Sequence, residues 1–131
     1  MDRPSPGSLR AWRAFLTAHA RVRELLEEEL EREASLPLPW YDVLVQLSEA
    51  ESGRLRMQEL ARAVLLSRSG LTRLVDRMEA ACLVERQPCV EDGRGFYVCL
   101  AADGRERLRR AAPINLDGVA RHFADVVTAD E

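Results

Sequence analysis

At 131 residues the chain has room for one domain with a real core, and 47% hydrophobic with 31% charged residues describe a soluble globular protein. No apolar run reaches bilayer length and the opening MDRPSPGSLR lacks the apolar segment of a signal peptide, so the expected location is cytoplasmic, with no membrane partner. The net charge of −3 weighs against a nucleic-acid partner, but six glutamates and one arginine crowd residues 24–33, and phosphate binding depends on local contacts rather than on the total.

The first predicted element is a long helix over residues 9–34. Leu9, Trp12, Phe15, Leu16, His19, Val22, Leu26 and Leu30 share one stripe at helical spacing, opposite a charged face. A helix of that length overhangs a small domain, so part of the stripe is expected to meet another subunit. Pro37 and Pro39 break it and start a second helix over residues 39–50, which buries Val43, Leu44 and Leu47. A third helix, residues 57–65, buries Leu60, Ala61 and Val64. Ser67 is a good N-cap for a fourth, running to about Ala81 with Leu71, Leu74, Val75 and Met78 inward.

Residues 83–88 and Phe96–Leu100 are strand-like, with Phe96, Val98 and Leu100 expected inward and EDGRG turning between the strands. The last helix is predicted to start near Asp103, where Asp103 and Glu106 have capping-box spacing, and to be interrupted or kinked at Pro113 on its way to residue 127. The closing Thr128-Ala129-Asp130-Glu131 is another helix-start signal with no helix after it, so a further helix is expected to have been lost, removed or never evolved.

Helix, turn, helix, two strands and a glycine-rich tip make a winged helix-turn-helix. The expected fold class is mainly α with a small β-hairpin (α+β). Residues 1–131 form one domain, in which 39–100 are the winged part and 9–34 and 103–127 the flanking dimerisation helices. That order puts one helix into the DNA major groove and an arginine nearby, so duplex DNA is the expected partner. On the fourth helix Ser69, Arg73 and Asp76 lie opposite the core residues, flanked by Thr72 and Arg77. Ser67, Ser69, Gly70 and Thr72 keep the first turn small and let the backbone approach the groove, where the helix N-terminus favours a phosphate. Arg73 is the candidate for a guanine edge, and Arg68 and Arg77 for phosphates. At the wing tip Arg94 can reach the minor groove, held by Asp92 through a charge-assisted bond. An ordinary solvated helix face and a turn ion pair are the competing readings.

Cys82, Cys89 and Cys99 have no paired metal spacing, and only two histidines accompany them, so no metal and no cofactor are expected. They read as small buried residues of a reducing compartment; the alternative is a thiol sensor, with Cys89 as its exposed candidate in the wing loop. The sequence has no nucleophile–base pair, metal cluster or phosphate loop that would point to an enzyme.

The segments SRSGLTRLVDRMEA, LVERQP, EDGRG and FYVCLAADGRERL, within residues 9–131, resemble the MarR family of bacterial transcriptional regulators. The resemblance implies a winged-helix homodimer on a pseudo-palindromic operator, nucleoid-associated, usually repressing and often released by a small ligand or by oxidation. Its recognition-helix contacts fall on Ser67 through Arg77, and its wing pair on Asp92 and Arg94. It also implies a small-molecule effector pocket between the dimer helices and the winged domain, for which Trp12, His19, Trp40 and Tyr41 are candidates; His19 equally reads as a hydrogen-bonded core histidine. The family's oxidation sensors place a reactive cysteine near the N-terminus, and none precedes Cys82 here.

Three features depart from the family pattern. Cys82 stands where glycine usually ends the recognition helix, which implies strain or a different helix ending. Ala101 replaces the threonine that usually begins the next helix, leaving capping to Asp103. No counterpart of the family's closing dimerisation helix is expected within residues 1–131, so the first helix and residues 116–127 would have to carry the interface. The alternative function, favoured by the acidic balance, is a winged-helix protein-interaction module with weak or no DNA binding.

Overall fold

The computed structural model describes residues 2–64, 66–89 and 95–128, with the side chains of Arg68 and Thr128 left aside. The candidate wing-tip residues Asp92 and Arg94, and most of the closing helix-start signal, therefore lie outside the described residues.

Helix α1 spans Pro6–Ala34. Ser5 caps it by accepting from the Ser8 amide, and the left-handed Ser35 ends it at φ 50°. Leu26 and Leu30 are buried, whereas Leu9, Trp12, Phe15, Leu16 and His19 are exposed. The stripe thus divides: its second half joins the core and its first half stays exposed. His19 is accordingly not a core histidine; its ring stacks at 6.3 Å on Phe15. Arg107 of the last long helix donates to the Ser35 carbonyl at 3.0 Å, tying the end of α1 to that helix.

Helix α2, Leu38–Glu49, begins among prolines that lack the amides a helix start leaves unpaired. A short 3₁₀ turn, Glu51–Gly53, with Ser52 and Gly53 both left-handed, leads into strand β1, Arg54–Arg56. Helix α3 is Met57–Val64 and helix α4 Arg68–Ala80. Strands β2, Val84–Pro88, and β3, Phe96–Leu100, pair antiparallel, with Val84 opposite Leu100 and Arg86 opposite Val98. The sheet is three-stranded in the order β1-β3-β2, rather than a bare hairpin, because β1 adds to the free edge of β3.

Between α2, α3, α4 and the sheet lies the core: Val43, Leu44, Leu47, Leu60, Leu71, Val75, Met78 and Val98, all fully buried. Each large side chain removed from water contributes about 2 kcal/mol. Phe96, the first residue of β3, departs from the expected alternation and is 49% exposed.

Helix α5, Ala102–Val119, starts one residue before the expected position. Ala101 is its N-cap and has no side-chain acceptor, and Asp103 already lies inside the first turn, so the Asp103–Glu106 capping box does not form. The helix runs unbroken through Pro113, which sits on its exposed side, where water can satisfy the carbonyl that proline leaves unpaired. The irregularity comes later, as a π-helical turn over Ala120–Ala124, before helix α6, Asp125–Thr128. Gly104 is buried where α5 crosses the end of β2's approach; a side chain there would run into the carbonyl oxygen of Leu83.

Candidate nucleic-acid interface

The site is built on α4. Ser67 is extended at φ −69° and ψ 160°, and its Oγ accepts from the Gly70 amide at 3.1 Å, which satisfies one of the donors the first turn leaves open. Ser69 Oγ lies 3.3 Å from Ser67 Oγ, so the first turn presents a pair of hydroxyls. Leu71, Leu74, Val75 and Met78 fix the inner face, and the 3.6-residue period then leaves Ser69, Thr72, Arg73, Asp76 and Arg77 exposed on the outer one. The structure therefore brings Ser67, Ser69, Gly70, Thr72, Arg73 and Arg77 together at one surface, with Arg68 on the same first turn.

The end of α4 explains how it meets the wing. Ala81 is the cap. Cys82 follows with φ 64°, and its amide reaches the Glu79 carbonyl at 2.9 Å while that of Leu83 reaches Met78 at 3.0 Å. This is the Schellman ending that usually has glycine at the left-handed position, here made with a cysteine and sealed by the apolar pair Leu83 and Met78. The Schellman geometry is kept, and the left-handed φ of 64° is the strain the cysteine adds.

Sequence reasoning missed Arg86. The register that pairs it with buried Val98 turns it toward α4. Its NH1 donates to Glu79 Oε1 at 2.7 Å and its NH2 to Asp76 Oδ1 at 2.6 Å, with the Thr72 carbonyl at 3.4 Å. Its backbone amide donates to Glu79 Oε2 at 3.1 Å. A charged residue at an inward strand position was the available signal.

At the wing root the amide of Cys89 donates to the Gly95 carbonyl at 3.3 Å, which carries the pairing one step past Pro88. Cys89 is 2% exposed, and the expectation of an exposed thiol in the wing loop is wrong. Burial also pushes the Cys99 thiol up, away from thiolate character. The guanidinium of Arg54 lies 4.1 Å over the ring of Tyr97, fastening β1 to β3.

A cleft of about 620 Å³ opens between α1, α2, the end of α3 and α5. His19, Arg23, Tyr41, Asp42, Gln46 and Asn115 supply its polar lining. Of the candidate pocket residues His19 and Tyr41 line it; Trp40 packs against the core and Trp12 stacks on Phe15 at 5.9 Å, both outside that lining. Arg23 donates to Asp42 at 3.1 Å. Burial raises the Asp42 carboxyl above its usual range, opposed by Arg23, and also pushes the Tyr41 phenol up.

The family model described as MarR family matches residues 34–95. In structure the chain is similar to AbsC, a MarR family transcriptional regulator from Streptomyces coelicolor, with 36% identity, a TM-score of 0.87, and coverage of 96% of this chain and 84% of that one. It is similar to Sco3205, a MarR family transcriptional regulator from the same organism whose structure is in complex with DNA, at 34% identity, a TM-score of 0.86, and coverage of 95% and 79%. An HTH-type transcriptional regulator of Bacillus cereus is 28% identical over 125 residues, spanning 95% of this chain and 80% of the relative. Among the described residues no helix is long and apolar enough to cross a membrane.

Proposed function

Because the chain belongs to the MarR family of transcriptional regulators, we propose that it binds duplex DNA sequence-specifically as a homodimer, with α4 of each copy in a major groove. The observation that carries this is the outer face of α4. Small hydroxyl residues occupy its capped N-terminal turn, Arg73 and Arg77 are exposed beyond them, and the inner face is fully committed to the core. Small side chains permit close backbone approach, and an arginine one turn into the helix has the reach for a guanine edge. The DNA in the Sco3205 complex supports the same reading for this chain.

In this reading Arg73 reads a base, Arg68 and Arg77 hold phosphates, and Arg94, positioned by Asp92, enters the minor groove. Two copies place their reading helices roughly 10 base pairs apart on a pseudo-palindromic operator. The exposed half of the α1 stripe, with Leu116, Phe123 and Val126, forms the face between copies. The protein acts as a repressor, and a small effector occupying the cleft beside His19 and Tyr41 releases it. That cleft lies where α1 and α5 meet the winged part, so filling it changes the spacing of the two heads.

The test is a mobility-shift titration on a duplex selected from a random pool by the parent protein. Arg73→Ala and Arg94→Ala are each expected to weaken binding at least tenfold while circular dichroism stays unchanged. Binding equal to the parent's in both variants would contradict the assigned face.

A further inference from the structure

We propose that Arg86 governs DNA binding without touching DNA, by holding Asp76 and Glu79 of the reading helix and cancelling their charge. The inference rests on α4 being the reading helix. Thr72, Asp76 and Glu79 lie at i, i+4 and i+7, one stripe two turns long, and a single guanidinium from β2 spans it. Glu79 is gripped at both oxygens, by the Arg86 side chain and by its backbone amide. The Arg86 side chain is 20% exposed, whereas those of Asp76 and Glu79 are 59% and 42% exposed. The carboxylates are thus at the surface and the cation that answers them is behind.

That arrangement matters because of its neighbours. Asp76 lies between Arg73 and Arg77 on the exposed side of α4. An approaching phosphate backbone meets its carboxylate together with the two arginines, and like charges repel at that range. Arg86 supplies the compensating charge, and its two terminal nitrogens tie both carboxylates to the wing strand. Both of its terminal nitrogens donate to α4, on two carboxylates and the Thr72 carbonyl. The same contacts set the angle of α4 to the wing strand, so charge and geometry act through one pair of acidic partners.

A double-mutant cycle decides it. Duplex affinity is measured on the parent-selected duplex for the parent, Arg86→Met, Asp76→Asn/Glu79→Gln, and all three changes together, each checked by thermal unfolding and compared well below its melting temperature. The proposal expects Arg86→Met to weaken binding at least tenfold in the parent and less than threefold when the two acids are already neutral. Equal loss in both backgrounds would make Arg86 a direct DNA contact and overturn the proposal, as would no loss in the parent. Arg86→Lys, which keeps one charge and the aliphatic stem but not the fork, runs the same cycle if the methionine variant does not fold; the same coupling supports the proposal and equal loss overturns it. Arg73→Ala is titrated alongside. Full binding by that variant, or no duplex binding by the parent, overturns the reading of α4 and the role of Arg86 with it. Loss on Arg73→Ala with equal loss in both Arg86 backgrounds overturns the role of Arg86 alone.

Discussion

His122 Nε2 lies 2.5 Å from Oε1 of Glu29, while Arg121 NH2 lies 3.1 Å from Oε2 of the same carboxylate. Two consecutive residues of one helix seldom face the same target. Here they do, because the π-helical turn Ala120–Ala124 inserts a residue and rotates the chain. Gly118 admits the approach, since a side chain there would come within 2.8 Å of Glu29 Oε2 and of Leu26 Cδ2. The last helical segment is thereby locked to α1 through one buried acid.

The hydrogen bond from His122 holds the Glu29 carboxyl below its usual range, against the opposing effect of burial and with help from the charges of His122 and Arg121. A depressed carboxyl contributes stability above its unfolded value, about 4.3, and loses it as pH falls through the lower folded value. Thermal unfolding between about pH 5 and pH 3 is therefore expected to show a steeper loss in the parent than in Glu29→Gln. Identical acid limbs would contradict the lock.

Gly104→Ala is expected to cost about 3 kcal/mol or more, because the added methyl meets a backbone carbonyl at Leu83 that cannot swing away. Chemical denaturation measures it, and a loss under about 1 kcal/mol would mean that α5 can shift at that crossing.

At Cys82 two costs compete. A non-glycine residue in the left-handed region costs about 1–2 kcal/mol, while glycine's freedom in the unfolded chain costs about 0.4–1 kcal/mol. Cys82 is exposed, so little packing is lost with its side chain, and Cys82→Gly is expected to raise the melting temperature by a few degrees. A lower melting temperature would show that the thiol has a packing role.

What was legible in the sequence, and what was not, follows from physical scale. The α4 face was readable because thirteen residues carry a clear 3.6 period after a serine cap. β1 was not, since Arg-Leu-Arg is too short for alternation to speak and its pairing partner is more than forty residues away. Cys89 was misplaced by assuming that pairing ends at Pro88, and Asp103 by trusting cap spacing where the backbone had already turned helical at Ala102. Arg86 is hard to read because a strand arginine is ordinarily outward; its alternation with Val84 is the one sign in the sequence that it turns in, and the register against Val98 agrees. The division of the α1 stripe depends on where α5 ends against it, which no local pattern encodes.

Trp12 at 56% and Phe15 at 61% exposure stand on the exposed half of that stripe. A dimer near twice 14.8 kDa is expected for the parent in light scattering, and Phe15→Glu is expected to shift it to monomer with helical content retained. A parent that stays monomeric at all concentrations would contradict two-head binding.

The most direct test of duplex binding through α4 is a salt titration of the parent on its selected duplex. Two heads that each neutralise at least two phosphates are expected to give a log–log slope of about −3.6 or steeper, lost in part when Arg77 is replaced by alanine. No measurable duplex binding at low salt would contradict the DNA-binding role and leave the winged domain a protein-interaction module.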